Sequence, residues 1–179
     1  MPPLIRFALG LLVALGVCVP GASAQMRKGT DSGLPLPRFV SVKAKTANLR
    51  VGPGRDYRVE WVFVRPGLPV EIVAEFDNWR RVRDAEGTEG WLFGALLSGR
   101  RTAVVAPWRQ HESAAPLSLH KRPGTDAPLV ARVEPGVMGE VIECDGEWCR
   151  FQPEGDGSRP GWLRQVDVWG VYPGEMIED

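Results

Sequence analysis

Two cysteines in the last third of the chain have the spacing of a local cross-link. Cys144 and Cys149 flank the four residues 145–148 (Asp-Gly-Glu-Trp), which predict a tight hairpin with the cysteines on opposite strands at its base. Cross-strand neighbours lie within disulfide reach, and an exported protein enters an oxidising compartment. We therefore expect a Cys144–Cys149 disulfide, with two free buried thiols as the alternative.

The residues around these cysteines do not favour metal or nucleophilic chemistry. Only His111 and His120 could join them in a zinc site, and neither has ligand-like spacing. A cysteine–histidine hydrolase is also disfavoured, because a disulfide-bonded cysteine is no nucleophile and no base or third orienting residue suggests itself. The sequence therefore predicts neither an enzyme nor a metal or cofactor site.

A second set of candidates combines aromatic rings with guanidinium groups. Tyr57 follows the turn Gly52-Pro53-Gly54, and Trp79 follows a hairpin turn. An aromatic side chain beside a polar groove is a common anchor for peptide or glycan ligands, and arginine matches the geometry of carboxylates. The candidate ligand-binding residues are Arg50, Arg55, Tyr57, Arg58 and Trp79. Taken singly, each of them also fits a structural or surface role.

These candidates belong to a pattern of short strands that occurs twice. Alternating apolar residues between Gly/Pro turns predict strands at 39–42, 47–51, 59–64, 69–73, 79–83 and 90–93, and again at 102–105, 117–120, 129–133, 139–142, 148–151 and 161–163. Many short strands in so few residues protect their edges by curling into a small barrel. A helical turn is expected at 95–97, and the apolar segment 168–172 is expected to pack on the second unit.

The alignment of the two copies predicts a cross-strand ion pair in the first unit. Glu75 and Arg80 take the positions of Cys144 and Cys149, so we expect an ion pair where the second unit has its disulfide. Among the tryptophans, Trp61, Trp91 and Trp162 are expected in the two barrel cores, and Trp79 and Trp148 are expected to be partly buried.

The N-terminus has the pattern of a secretory signal. Arg6 precedes an apolar run at 7–19, and Ala22-Ser23-Ala24 is a small-x-small cleavage site. The run is shorter than the roughly 20 residues of a membrane-spanning helix. A lipoprotein signal at Cys18 is disfavoured because Val17 stands where a small residue is needed. We expect cleavage after Ala24, no membrane span in the mature chain, and a flexible polar leader over 25–38.

Charge is unevenly distributed between the two units. Residues 39–101 carry 11 Lys/Arg against 8 Asp/Glu, a net of +3, whereas residues 102–179 carry 7 against 13, a net of −6. Opposite signs are consistent with units that dock on each other, with a charged partner, or with ordinary surface variation. Neither half is basic enough to indicate a nucleic-acid partner.

As a set, these motifs resemble the bacterial SH3-like family of the cell envelope. The resemblance rests on Asn48-Leu49-Arg50-Val51-Gly52-Pro53-Gly54, the Pro66-Gly67 turn, Trp79-Arg80-Arg81-Val82 and Gly90-Trp91. The second copy is looser, and its ending at Gly161-Trp162-Leu163 and Trp169-Gly170-Val171 is similar to a secreted two-copy subfamily of Gram-negative bacteria. The resemblance implies a small β-barrel that binds a ligand without catalysis, often beside peptidoglycan-cleaving enzymes.

The sequence is therefore interpreted as an all-β protein with two tandem SH3-like barrels after a signal peptide. The expected domains are 1–24 (signal), 25–38 (leader), 39–99 and 102–173 (barrels), and 174–179 (acidic tail). The expected function is periplasmic or secreted binding of cell-wall peptide or glycan. The alternatives are an adaptor for an envelope protein and a structural tandem without a small ligand.

Overall fold

Antiparallel strands form nearly all the regular structure of this chain. The computed structural model describes residues 27–110 and 114–178, so the expected signal peptide and His111 lie outside the described residues. The first strands are β1 (Arg27–Lys28), β2 (Pro35–Leu36), β3 (Arg38–Val42), β4 (Ala47–Arg50), β5 (Val59–Phe63), β6 (Pro69–Phe76), β7 (Trp79–Arg83), β8 (Glu89–Phe93) and β9 (Leu97–Ser98). The later strands are β10 (Thr102–Val105), β11 (Leu117–His120), β12 (Leu129–Val133), β13 (Met138–Asp145), β14 (Trp148–Pro153), β15 (Gly161–Arg164), β16 (Val168–Trp169) and β17 (Met176–Ile177). Short 3₁₀ turns occur at Gly94–Leu96, Pro107–Arg109 and Gln165–Asp167.

The two main sheets have the same strand order. The first runs β5-β4-β8-β7-β6-β3-β9, and the second runs β12-β11-β15-β14-β13-β10-β16, with β17 added beside β13. The predicted all-β fold with two tandem units is thus confirmed. In the first sheet β5 and β9 are the outer strands, and β5 hydrogen-bonds only to β4 among the described strands.

Each unit closes over its own hydrophobic core. In the first unit, the core includes Leu49, Val70, Val82 and Leu92, which alternate with outward-facing residues as the period of a strand requires. In the second unit, Leu119, Phe151 and Leu163 are fully or almost fully buried.

The tryptophans depart from the sequence-based expectation. Trp61 was expected in the core but is 57% exposed, because it lies on the outer strand β5, where no neighbour covers it. Trp91 and Trp162 are only partly buried. Conversely, Trp148 was expected to be partly exposed but is 8% exposed.

The β6–β7 and β13–β14 hairpins hold the two expected cross-strand pairs. Cys144 lies opposite Cys149, and the structure contains the predicted disulfide between them. In the first unit, Glu75 lies opposite Arg80, and the Arg80 Nε atom is 3.4 Å from the Glu75 carboxylate. An ion pair therefore occupies the register position that the disulfide occupies in the second unit.

The leader, predicted to be flexible, instead forms a hairpin fastened to the Glu75 carboxylate over its described part. Strands β1 and β2 pair with each other, and Glu75 accepts hydrogen bonds from the Asp31 and Ser32 backbone N–H groups at 3.2 and 2.9 Å and from the Ser32 hydroxyl at 2.7 Å. The Arg38 guanidinium adds an ion pair at 2.7 Å. The expectation of flexibility missed this because it considered only local composition, whereas the acceptor lies 43 residues away from Ser32.

The same contacts control the ionisation of Glu75. The Glu75 side chain is fully buried, and burial by itself raises its pKa. Hydrogen bonds from the Ser32 side chain and backbone, from Arg38 and from the Asp31 backbone outweigh burial, so the pKa falls to about 2. The carboxylate is therefore charged at neutral pH and serves as a multiple acceptor.

The two units touch through aromatic side chains. Phe39 of β3 packs edge-on against Trp169 of β16, with ring centroids 5.1 Å apart, and its centroid is 4.7 Å from that of Tyr172. The Tyr172 hydroxyl donates a 2.8 Å hydrogen bond to Glu71, and burial with this hydrogen bond raises the pKa of the Tyr172 phenol. Segment 168–172 packs on the second unit, as expected, through β16, and it also packs against Phe39 of the first unit.

Polar contacts reinforce this interface. The Thr102 hydroxyl donates to the Gly67 carbonyl at 2.7 Å, and Arg65 pairs with Glu154 at 3.0 Å across the same junction. The Arg65 and Glu154 side chains are about half exposed, so their pair contributes little compared with the buried aromatic contact. Charge asymmetry is thus a minor part of the docking. In addition, β17 pairs with β13, so Met176 and Ile177 of the expected acidic tail at 174–179 extend the second sheet.

Replacement of Glu75 by glutamine should release the leader hairpin. We expect Glu75→Gln to destabilise the first unit by about 1–3 kcal/mol at pH 7, because the leader N–H and O–H groups and the Arg38 guanidinium lose a charged acceptor. The wild-type advantage should be present above the unfolded pKa near 4.3 and disappear as pH falls toward 2, since the folded pKa is the lower one. Urea unfolding of both proteins between pH 2 and 7 measures this, and a pH-independent difference would contradict it.

Removal of the aromatic contact should uncouple the two units, whereas removal of the exposed ion pair should not. We expect Trp169→Ala to split thermal unfolding into two transitions, because the ring that Phe39 packs against is lost. Arg65→Ala is the control and should leave the transitions unchanged. Salt at 0.5 M, about three times physiological ionic strength, should also leave them unchanged. Differential scanning calorimetry makes the comparison, and splitting by salt alone would show docking by charge.

Candidate functional site

A cleft of about 410 Å³ lies on the first unit beside the β7–β8 pair. Its lining combines two cations with aromatic and polar side chains: Thr46, Asn48, Arg50, Arg55, Trp79, Phe93 and Leu96. This lining contains no carboxylate, and it is called the first cleft below. Such a surface suits an anionic ligand with an apolar face.

Arg50 is held in place by its strand and by a loop carbonyl. It lies at the end of β4 and is paired with Val59 on one side and Trp91 on the other. Its Nη1 donates a 2.6 Å hydrogen bond to the Tyr57 carbonyl oxygen. This bond uses one of the five guanidinium N–H groups, and the others are not bonded within the described residues.

The aromatic wall of the cleft comes from two neighbouring strands. Trp79 and Phe93 lie opposite each other in the β7–β8 register, and their rings meet in a T-shaped arrangement with centroids 5.6 Å apart. The Arg55 guanidinium carbon lies 6.0 Å from the Phe93 ring centroid, at the outer limit of a cation–π contact. Among the described residues Arg55 has no hydrogen-bonding or ion-pair partner, so its charge is free for a ligand.

The remaining two predicted residues lie outside the cleft lining. The Tyr57 ring lies against Gly52, where an added Cβ atom would come within 2.4 Å of the ring, so the loop depends on glycine at this position. Tyr57 is half exposed and serves the cleft through its carbonyl. Arg58 forms an exposed ion pair with Glu60. The structure thus brings Arg50, Arg55 and Trp79 together, with Tyr57 beside them and Arg58 apart.

Sequence reasoning did not select four of the lining residues. Phe93 could have been found from its register, because a residue opposite Trp79 on the next strand shares its face. Asn48 could also have been found, because it lies two residues before Arg50 on β4 and strand alternation places both on one face. Thr46 and Leu96 have no comparable signal, since the chain reaches the cleft at those positions only through the closure of the sheet.

The second unit has a cleft at the corresponding position, with different chemistry. His120 takes the place of Arg50, and its Nδ1 lies 2.8 Å from the Ala127 carbonyl oxygen, just as Arg50 bonds the carbonyl seven residues later. Trp148 replaces Trp79, with its ring centroid 6.0 Å from that of His120. The lining of this cleft, of about 390 Å³, also includes Asp167. The second cleft therefore lacks the purely cationic character of the first.

Residues 27–110 and 114–178 contain no group of three or more His, Cys, Asp and Glu side chains placed to hold a metal ion. Within the same ranges no helix is both long and apolar enough to cross a membrane.

Comparison with known families agrees with this duplicated architecture. The family model described as "Bacterial SH3 domain" matches twice, at residues 43–99 and 113–170, which together make up more than half of the chain. The chain belongs to the bacterial SH3 domain family. Membership of this family indicates a cell-wall-associated binding module. No curated protein sequence matches this bacterial SH3 protein at a significant level.

Solved structures give more distant similarities. They include NlpC1 and NlpC2 from Trichomonas vaginalis at 13% and 12% identity, with TM-scores of 0.33 and 0.32, covering 79% and 74% of this chain and 48% of each of theirs. An NlpC/P60 family protein from Bacillus cereus ATCC 10987 has 14% identity and a TM-score of 0.31 over 73% of this chain and 55% of its own. The SH3 protein thus spans about half the length of these structures.

A single added methyl group at Gly52 should disturb the loop that bonds Arg50. We expect Gly52→Ala to cost about 1 kcal/mol or more, because the Tyr57 ring must move off the turn. Gly99→Ala is the matched control, since nothing lies within 4 Å of its added Cβ. Urea unfolding with near-ultraviolet circular dichroism measures both effects, and equal stability of the two variants would contradict the packing of Tyr57 on the turn.

Proposed function

We propose that this chain is an exported, non-catalytic module that binds peptide or glycan of the bacterial cell wall through the first cleft. The observation that carries the proposal is the lining of that cleft, where two guanidinium groups stand beside the Trp79–Phe93 pair without a carboxylate to neutralise them. Family membership supports the cell wall as the place of action.

The chemistry of wall peptides matches this lining. Their free carboxylates suit the planar fork of an arginine, which binds both oxygens at once. Arg55 has no partner within the described residues, and most of the Arg50 guanidinium is available. The exposed edges of Trp79 and Phe93 can pack against the apolar face of a peptide or a sugar ring. Arg50 and Arg55 are thus assigned to the carboxylate, and Trp79 to apolar packing.

The proposed setting follows from the sequence and the duplicated fold together. We propose that the signal peptide is cleaved after Ala24 and that the mature protein is periplasmic or secreted. Its two domains are the barrels at 39–99 and 102–173. The contacts between the units support a competing proposal, a structural tandem that uses no small ligand. An adaptor that binds an envelope protein through the acidic second unit is the other alternative.

Sedimentation with purified peptidoglycan sacculi tests the proposal. We expect residues 25–179 to be retained, and Trp79→Ala and Arg55→Ala each to reduce retention several-fold, because they remove the apolar wall or the unpaired charge. Retention should also weaken in high salt if carboxylates are recognised.

The chain offers a matched control for the arginine variant. Arg58→Ala removes an equal charge three residues away, but Arg58 lies outside the cleft and is paired with Glu60, so retention should stay at the wild-type level. Failure of every protein to sediment would reject wall binding. Equal loss with Arg55→Ala and Arg58→Ala would reject the first cleft as the site and leave only general charge attraction.

A further inference from the structure

The outer strand of the first unit has an unusual surface for an unpaired edge. Strand β5 pairs only with β4 among the described strands, so its other side presents free backbone N–H and C=O groups. Trp61 is 57% exposed, and Val62 and Val64 are 40% and 73% exposed. Exposed edges of this kind are normally protected by charged side chains, because they readily pair with another strand.

The outer strand of the second unit carries different residues at these positions. Its outer strand β12 pairs with β11 in the register in which β5 pairs with β4. Trp61 corresponds to Ala131, since both lie opposite the buried leucine of the inner strand. Val62 corresponds in the same way to Arg132, and Val64 to Glu134 by its place in the sequence. At these two positions the second unit has charges where the first has apolar side chains, whereas Glu60 of β5 aligns with Val130 of β12.

A carboxylate-lined groove runs beside the apolar edge. Its lining, with a volume of about 260 Å³, consists of Trp61, Phe63, Leu68, Asp84, Ala85, Glu86 and Thr88. Asp84 is fixed by accepting the backbone N–H groups of Glu86 and Thr88 at 3.0 and 2.8 Å. The Glu86 carboxylate has no partner within the described residues. The groove thus combines an exposed indole ring with two negative charges.

We propose that β5 and this groove dock an extended, basic segment of a partner protein by strand addition. The backbone of the segment would pair with the free edge of β5, and every second side chain would face the groove. A lysine or arginine suits that face, because its alkyl stem packs on Trp61 while its charge meets Asp84 and Glu86.

Charge complementarity favours a partner over a second copy of this chain. A copy of β5 contains no lysine or arginine, so it would bring no cation to Asp84 and Glu86. The docking surface is separate from the first cleft, since the two share no lining residue. It therefore does not depend on the proposed wall binding.

Hydrogen exchange on residues 25–179 tests the proposal with defined peptides. The probe is an acetylated and amidated alternating Thr-Lys octapeptide, and the control is the Thr-Glu octapeptide of equal length. We expect the Thr-Lys peptide to slow exchange of the outward β5 amides by about threefold or more, and the Thr-Glu peptide to leave them unchanged. Equal protection by both peptides, or none by either, would overturn the proposal.

Two variants test whether protection from hydrogen exchange arises from a peptide bound at this surface. The triple variant Trp61→Ala/Val62→Arg/Val64→Glu adopts residues that the same fold already carries in the second unit, so folding should be preserved and protection lost. Glu86→Gln removes one charge from an exposed turn and should weaken Thr-Lys binding several-fold. Protection that persists in the triple variant would reject the edge as the site.

The experiment also separates this site from wall binding and from self-association. Glu86→Gln should keep wild-type retention on sacculi, because the groove and the first cleft share no lining residue. If the β5 amides become protected at high protein concentration without peptide, and sedimentation velocity shows a dimer, then the occupant is a second copy and the partner proposal is wrong.

Discussion

Each unit of this protein has to be stable on a small hydrophobic core. A barrel of about 60 residues buries a smaller fraction of its surface than a larger domain does, so it has little free energy to spare. The β6–β7 and β13–β14 hairpins show two responses to this constraint at one register position. The second unit closes its hairpin with the Cys144–Cys149 disulfide. The first unit places the buried Glu75 carboxylate there, between Arg80 and the leader.

The two responses have different consequences for the surrounding chain. A disulfide bonds only its two strands, whereas a carboxylate with several lone pairs can also fasten a distant segment. Glu75 accordingly orders a hairpin that its own composition would leave flexible. Docking of the two units also stabilises the first unit from outside its barrel, because the rings of Phe39, Trp169 and Tyr172 pack on one another only when the units are together. Stability in the first unit is thus distributed over contacts that lie outside its barrel.

Because the fold is duplicated, the surfaces of the two units can be compared position by position. The two clefts share a position, a tryptophan and a carbonyl contact, yet Arg50 in one corresponds to His120 in the other, and only the second is lined by a carboxylate, Asp167. The outer strands share a register, yet Val62 in one corresponds to Arg132 in the other. Since the fold is common to both units, these substitutions are not requirements of folding. The first unit therefore carries both of the surfaces that are assigned to binding.

Local patterns were enough to predict most of the fold. Alternation and Gly/Pro turns located the strands, and hairpin symmetry found both the disulfide and the Glu75–Arg80 pair. Trp61 was misjudged because alternation places it on the inner face, while exposure depends on whether a strand has a neighbour. The ordered leader was missed because its partner is far away in sequence.

The candidate site was predictable in part. Arg50, Arg55 and Trp79 were selected by residue type near turns, and the structure places them in one cleft. Phe93 was missed, although strand register could have indicated it, and Arg58 was selected although it faces Glu60. Proximity in sequence brought Arg58 into consideration, but neighbouring residues of a strand or loop point in different directions.

The packing of Phe39 between Trp169 and Tyr172 has a consequence for ligands that repeat. Units joined by a flexible linker explore many separations, and a second binding event then occurs at an averaged local concentration. Here the buried aromatic contact restrains the relative placement of the units, so their surfaces are held at one spacing. A ligand long enough to contact both units would gain avidity from the second contact only if the distance between its own groups matched that spacing.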